Sequence, residues 1–433
     1  MKNNSINIGL LGFGNVGAAV HELLQANAVG LSAKSGSTIQ IKRVAVRDLK
    51  KPRSIDPIFL TSDVDSIIDD PEISVIVELM GDCPEALQAM KRALSLGKSV
   101  VTANKAVIAR HGKELFDLAL ANQCEIFFEA SVAGGIPVLR VLREGLAANR
   151  LSKLIGIING TSNYILTEMS NKGTPFADVL KEAQRLGYAE ADPTSDVEGF
   201  DAAFKLSILI LLAYGKFVSV DQIFRQGITQ IMPLDFEMAQ RFGYAVRLLG
   251  ITKADDDCIE ARVHPTMIRQ DNPLAHVEGP FNAILYAGDF VGEGMLYGRG
   301  AGGHPTASAI VGDLLEACRN QVNKAPICLS PIGFPLADLV KVQPRAMSDL
   351  HSDYYLRFMA TDKPGVLARV TGLLGQHGIS ISSVYQHGHN EGEEVPIVVF
   401  THKAKESAIQ KSLSEIDKMD FITQKTQLIR IEE

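Results

Sequence analysis

The chain has 433 residues, with 43 Lys and Arg against 50 Asp and Glu, and a formal net charge of −7. That length holds two to four domains at roughly 100–200 residues each, and 46% apolar with only 21% charged residues excludes a disordered chain. A mildly acidic chain with no Trp and 6% aromatics lacks the charge to coat nucleic acid or an anionic membrane, and the rings to stack on bases.

Cys83, Cys124, Cys258, Cys318 and Cys328 form no CxxC pair, so neither a zinc knuckle nor a disulfide framework is expected. A reduced, cytoplasmic setting fits this usage. The stretch up to Gly17 carries one Lys and an apolar run broken by glycines, unlike a signal peptide. The strongest apolar run, residues 206–213, is about half of the ~18 residues that a membrane span needs, so the chain reads as soluble.

Strand patterns at 6–11, 39–46, 75–79, 99–102 and 125–128 alternate with helical patterns at 16–26, 84–96 and 104–122. Strands that are apolar throughout, separated by helices, predict a parallel sheet covered on both faces. From about Ile136 the alternation stops. A helix at 138–148, a strand at 154–159, helices at 162–171, 176–186 and 197–214, and strands at 259–265 and 281–287 predict an α+β region. A Gly-rich stretch at 298–303 precedes a helix at 306–318, and the Pro- and Gly-bearing 331–348 reads as a connector. The last ~80 residues read β-α-β-β-α-β, with strands at 354–360, 379–384, 395–401 and 422–431 and helices at 365–376 and 405–416, the ferredoxin-like order.

Gly12, Gly14 and Gly17 follow the first strand and open a helix. The first permits a tight turn, the second lets backbone approach a pyrophosphate, and the third lets helix and strand pack closely. A helix N-terminus then offers free N–H groups to phosphates. At the end of the second strand, Arg47 with Lys50, Lys51 and Arg53 favours a 2′-phosphate and hence NADP, while Asp48 keeps NAD open through a ribose hydroxyl. A solvated basic turn is the plain alternative.

Thr102, Ala103, Asn104 and Lys105 end a strand and start a helix, with Asn104 as N-cap and Lys105 in the first turn. A cation there opposes the helix dipole by ~0.3–1 kcal/mol and calls for a compensating anion, such as a substrate or phosphate. An ordinary surface lysine is equally compatible with the pattern. Asp201 and Lys205 stand four residues apart on one helix face, and Lys205 enters a wholly apolar run, where desolvation disfavours its charge. The alternative is a common helical ion pair. Upstream, Tyr188, Glu190, Asp192, Asp196 and Glu198 crowd into eleven positions, a pattern suited to an ammonium-bearing zwitterion or simply to an acidic helix start. Asp192 beside Pro193 reads as a turn residue and Asp196 as an N-cap, which leaves Glu190 for a ligand. His387 and His389 alone read as a loop rather than a metal site.

Taken together, residues 12–17, 101–105, 129–137, 159–164, 187–205 and 298–305 resemble homoserine dehydrogenase along the whole chain, and the C-terminal unit, with Asp362 to Leu367 opening its first helix, resembles an ACT domain. The resemblance implies a Rossmann-type domain at 1–133, rejoined by about 304–325, an α+β catalytic and dimerisation domain at 134–303, a linker at 326–350 and an ACT regulatory domain at 351–433. It implies reversible NAD(P)-dependent conversion of L-homoserine to L-aspartate 4-semialdehyde in threonine, methionine and isoleucine biosynthesis. Lys205 matches the acid/base lysine, with Asp201 beside it and Lys105 as the second active-site lysine. Glu190, Asp196 and Tyr188 match substrate positions, and Gly12, Phe13, Gly14, Asn15, Val16, Gly17, Arg47, Thr102, Lys105 and Gly302 match cofactor positions. Main-chain oxygens of Glu129, Val132, Gly134 and Ile136 would hold a monovalent cation such as sodium. Threonine is the implied effector and a homodimer or homotetramer the implied assembly. A dehydrogenase for another small amino acid or semialdehyde, or a catalytically silent dinucleotide and amino-acid sensor, are the competing readings; intact Lys105, Lys205, Glu190 and Asp201 speak against the sensor.

Overall fold

The computed structural model describes residues 5–255, 258–324, 330–386 and 392–432. Cys328 and the His387 and His389 pair lie outside the described residues. Two compact units interleave along the chain: residues 1–154 with 201–223 and 281–342, and residues 155–200 with 224–280 and 343–433. Among the described residues no helix is long and apolar enough to cross a membrane.

The first unit is built on a parallel sheet of β1 (Ser5–Leu11), β2 (Thr38–Ala45), β3 (Leu60–Thr61), β4 (Ile73–Glu78), β5 (Ser99–Thr102) and β6 (Ile126–Phe127), in the order β3-β2-β1-β4-β5-β6. Helices α1 (Asn15–Ala26), α2 (Ala28–Ser35), α3 (Val64–Ile68), α4 (Pro84–Ser95) and α5 (Lys105–Ala121) connect the strands. This is the Rossmann arrangement. It forms because β1, β4 and β5 are buried on both faces around an apolar centre, so each needs a helix above and below. The Gly303–Asn323 helix joins one face: Ile310, Val311 and Leu314 share a core with Val20, Leu24, Val44 and Val46. The short β3 and α3 have too few residues for a periodic signal and were not expected from the sequence.

The helix expected at 138–148 is α-helical only over Val138–Arg140 and widens to a π-turn over Val141–Gly145, where the Leu146 N–H donates to the Val141 carbonyl at 2.8 Å. Gly145 inside that stretch weakens the regular spiral. The Phe281–Gly288 and Gly292–Arg299 strands form a hairpin, with Phe281 opposite Arg299. The second of these was unread because its three glycines and half-exposed pattern dilute the strand signal. Within the expected connector, Val340–Lys341 pairs with Lys216–Phe217.

In the second unit, Tyr244–Ala254 and Ile259–Arg269 pair antiparallel over their full length. The first was missed because Arg247 and Gly250 interrupt its apolar run. The C-terminal elements His351–Thr361, Val366–Gln376, Ile381–Gln386, Glu394–Thr401, Glu406–Ile416 and Ile422–Glu432 follow the expected β-α-β-β-α-β order. They bury Tyr354, Leu356, Phe358, Val370, Ile397 and Leu413 in one core. This segment is not hung on a tether. Its last strand pairs parallel with Ile259–Arg269, Thr266 opposite Arg430. Asp235, fully buried, accepts from Arg357 Nε and Tyr355 Oη, each at 2.7 Å.

Two stability predictions arise. Asp235→Ala strands the Arg357 guanidinium and the Tyr355 hydroxyl and should cost about 3–5 kcal/mol in urea unfolding, whereas the combined Asp235→Leu, Tyr355→Phe, Arg357→Met variant should recover most of it. A single-variant cost below about 1 kcal/mol would contradict this. Asp313, on the Gly303–Asn323 helix, is buried beside Glu129, and burial followed by that like charge pushes its carboxyl up to about 8. An unfolded Asp titrates near 4. Between those values the folded chain holds a proton that the unfolded chain has lost, so stability falls as pH rises from about 4 to 8. Asp313→Asn should flatten that fall, and an unchanged pH slope of the unfolding midpoint would show that Asp313 is ionised throughout.

Candidate active site

The cofactor cleft of the first unit is shaped by three glycines, two of them required by sterics. Gly12 has φ +105°, and a Cβ on it would lie 2.5 Å from the Leu79 carbonyl oxygen. A Cβ on Gly17 would lie 2.6 Å from the Gly12 carbonyl oxygen, so only glycine lets α1 start this close to β1. A Cβ on Gly14 would meet nothing within 4 Å: that position faces open space. Gly14 is also the N-cap of α1 and provides no side chain to its first N–H groups, which leaves them for an anion. The cleft has a volume of about 560 Å³ and is lined by Gly12, Phe13, Gly14, Arg47, Leu79 and Met80 among others.

Phe13 and Val16 pack against the sheet core, and Asn15 begins α1. Gly302, with φ +112°, caps the Gly303–Asn323 helix, and a Cβ on Gly303 would lie 3.0 Å from the Asn15 carbonyl oxygen. The late glycine loop therefore lies against the early one. Arg47 is exposed at the cleft mouth. Asp48 is turned into its own loop, accepting the Lys50 N–H at 2.9 Å, and Arg53 folds back on the carbonyls of Asp48 and Lys51. Arg47, Asp48, Lys51 and Arg53 all stand on the lining.

At the carboxyl edge of the same sheet, Asn104 caps α5 as expected, its Oδ1 accepting the Val107 N–H at 3.2 Å. Lys105 is the first helical residue. Its compensating anion is protein: Lys105 Nζ lies 2.9 Å from Asp201 Oδ1, while Lys205 Nζ donates to Asp201 Oδ2 at 2.6 Å. Asp201 is 4% exposed, and Lys205 is buried with it. The sequence pairs Asp201 with Lys205 through helical spacing; that Lys105, almost a hundred residues earlier, shares the carboxylate has no local signal. Thr102 is not open to the cleft through its side chain, since its hydroxyl donates to buried Glu78 at 2.6 Å. Glu78 itself was overlooked, being a single acid at the end of an apolar strand.

The expected helix 197–214 is broken by Gly199, φ +79°, into Thr194–Val197 of the second unit and Phe200–Tyr214, which from Asp201 onward belongs to the first. A side chain at Gly199 would crowd Val263 at 3.1 Å. Asp196 therefore lies inside the short helix and is not an N-cap; its Oδ1 accepts from Asn159 Nδ2 at 2.7 Å, and its carbonyl accepts from Ser162 Oγ at 2.9 Å. Tyr188 stacks near Tyr164, ring centroids 4.7 Å apart, and its carbonyl is held by Thr161. Glu190 is exposed, its main chain fixed by Gln184 Nε2 at 3.1 Å. Asp192 closes a turn onto the Thr194 N–H, as expected.

The loop expected to hold a cation curls through two left-handed residues, Ala133 at φ +55° and Gly134 at φ +39°. The carbonyls of Glu129 and Ile136 each accept one backbone N–H, from Val132 and Val138. A carbonyl oxygen has two lone pairs, so both retain capacity for a hard cation. The Glu129 side chain is committed elsewhere, to the N–H groups of Leu139 and Arg140.

Comparison with known proteins shows the family and its domains. The homoserine dehydrogenase family model matches residues 137–315, its NAD-binding domain model residues 12–129, and the ACT domain model residues 354–420. The homoserine dehydrogenase of Helicobacter pylori is 41% identical over 427 residues, covering 99% of each chain. The crystal structure of a homoserine dehydrogenase from Thiobacillus denitrificans superposes with a TM-score of 0.93 at 42% identity, covering 99% of each chain. A hyperthermophilic archaeal homoserine dehydrogenase, solved in complex with NADPH, superposes with a TM-score of 0.62 at 29% identity over 72% of this chain and 97% of its own. The chain thus belongs to the homoserine dehydrogenase family, as an NAD(P)-dependent oxidoreductase with a C-terminal ACT domain.

Proposed function

We propose that the chain interconverts L-homoserine and L-aspartate 4-semialdehyde with Lys205 as the proton-transfer group, Lys105 and Asp201 as its partners, and Glu190, Asp196 and Tyr188 at the amino-acid end of the substrate. The observation that carries this is the buried Asp201 carboxylate bonded to both lysines. A primary alcohol loses its hydroxyl proton as hydride leaves its carbon, and Lys205 Nζ is the group suited to take that proton. In the reverse direction the Lys205 ammonium returns it to the aldehyde oxygen. Lys105 adds positive charge where the oxygen becomes anionic. Asp201 fixes the direction of both ammonium groups through one carboxylate.

A nicotinamide cofactor in the cleft supplies the hydride acceptor and donor. Gly12, Phe13, Gly14, Asn15, Val16, Gly17 and Gly302 would cradle its phosphates with main-chain N–H groups, and Thr102 would contribute main chain alone. We favour NADP, because three cations, Arg47, Lys51 and Arg53, line the cleft beside Asp48, whose Oδ1 already accepts the Lys50 N–H; the archaeal relative's NADPH complex supports the same choice. Glu129, Val132, Gly134 and Ile136 would hold a monovalent cation through their carbonyls. Threonine is the proposed effector at the ACT domain, a homodimer or homotetramer the proposed assembly, and the cytoplasm the proposed location.

NADPH oxidation with aspartate semialdehyde tests these roles. Lys205→Ala should lower kcat at least about 100-fold with little change in KM, as expected for a lost proton-transfer group; near-normal kcat would remove Lys205 from that role. Arg47→Ala should raise the KM for NADP about tenfold and leave that for NAD within about twofold, the loss of one charge-assisted contact. Equal changes for both cofactors would overturn the NADP assignment. Because the last strand is part of the second unit's sheet, threonine is titrated against the full chain rather than a truncation.

A further inference from the structure

The last residue of β4 is a carboxylate that no functional reading uses. Glu78 is fully buried at the carboxyl edge of the parallel sheet. Its Oε1 accepts the Met80 N–H at 2.7 Å, and its Oε2 accepts the Thr102 hydroxyl at 2.6 Å. Thr102 Oγ1 in turn accepts the Asn104 N–H at 2.9 Å. Asn104 Nδ2 donates to the Gly81 carbonyl at 2.7 Å, and Asn104 Oδ1 caps α5. The loops after β4 and β5 are therefore stitched into one closed circuit.

Two functional surfaces hang on that circuit. On one side, the Leu79 N–H donates to the Leu11 carbonyl at 2.7 Å, and Leu79 presses on Gly12, so the backbone beside Glu78 is the floor of the cofactor cleft. On the other side, α5 starts at Lys105, one residue beyond its cap, and delivers its ammonium to Asp201. Burial raises the proton affinity of Glu78, against which the Thr102 and Met80 donors act. A carboxylate suits the position because both donors need an acceptor at once; an amide would turn an NH2 group toward one of them. A buried donor left unpaired is costly enough to displace the turn that aims Lys105.

We propose that Glu78 is a positioning residue for the dehydrogenase reaction: through Thr102 and Asn104 it sets where α5 presents Lys105 to Asp201, and through Met80 it shapes the cleft floor. This rests on the reading of Lys105, Asp201 and Lys205 as the proton-handling centre.

The test uses the full chain and four variants: Glu78→Gln, Thr102→Val, Thr102→Ser and the Glu78→Gln, Thr102→Val double. Turnover of aspartate semialdehyde is measured beside NADPH affinity, from cofactor fluorescence, and melting temperature. Glu78→Gln and Thr102→Val should each lower kcat about 10–100-fold while KM for semialdehyde moves less than about threefold. Thr102→Ser, which keeps the hydroxyl, should recover most of the kcat that Thr102→Val loses. The double variant should be no worse than the poorer single one, because both break the same circuit. Wild-type kcat in Thr102→Val, or fully multiplicative losses in the double, would overturn the proposal alone. Wild-type kcat in a Lys105→Ala control would overturn the reading beneath it as well.

Discussion

The carboxylate of Asp201, 4% exposed, accepts from two lysine ammonium groups, Lys205 one helical turn away and Lys105 from a distant segment of the first unit. Removing one charge from water costs several kcal/mol, and partners at hydrogen-bond distance offset that cost. The surrounding structure is arranged to bring those partners in. α5 must begin at the carboxyl edge of the sheet so that Lys105 projects from its first turn, where the helix dipole disfavours a cation. The Phe200–Tyr214 helix must be buried on nearly every side so that Lys205 cannot turn to solvent. Gly199 must break the chain just before that helix. With both lysines protonated, two positive charges face one negative charge, and the surplus suits an oxygen that gains negative charge during reaction.

Much of this was legible from local rules. The glycine turn was readable because the steric need for Gly12 and Gly17 is written in their spacing, and the structure gives the close contacts that require it. Asn104 announced the start of α5, and Asp201 and Lys205 announced their pairing by helical spacing. What escaped were contacts between distant segments. Nothing near Lys105 says that its partner is Asp201, and nothing near Glu78 says that it completes a circuit with Thr102. Elements whose own residues blur the pattern also escaped. Arg247 and Gly250 hide a long strand, glycines hide the Gly292–Arg299 strand, and Gly199 splits a helix that reads as continuous. Asp196 was misread as a cap for the same reason.

The C-terminal segment shows how an ACT module can be joined to a sheet by strand pairing rather than by a tether alone. Its ferredoxin-like order was plain from sequence, but its attachment was not. The last strand hydrogen-bonds to Ile259–Arg269, and Arg357 and Tyr355 reach Asp235 within a buried cluster. Arg430, also buried, binds Glu406 and Gln226, so the same strand faces both the module and the sheet it extends. A ligand that binds one conformation of such a module more tightly acts on the shared sheet directly.

The most direct test of the central interaction is steady-state turnover by Asp201→Asn, which keeps the shape of the side chain and removes its charge. If Asp201 aligns the two lysines for proton transfer, kcat should fall about 100-fold or more, NADPH affinity should stay within about twofold, and adding Lys205→Ala should cost little further, since the groups act as a unit. Activity within about threefold of wild type, or a full further loss on adding Lys205→Ala, would show that the carboxylate serves folding alone.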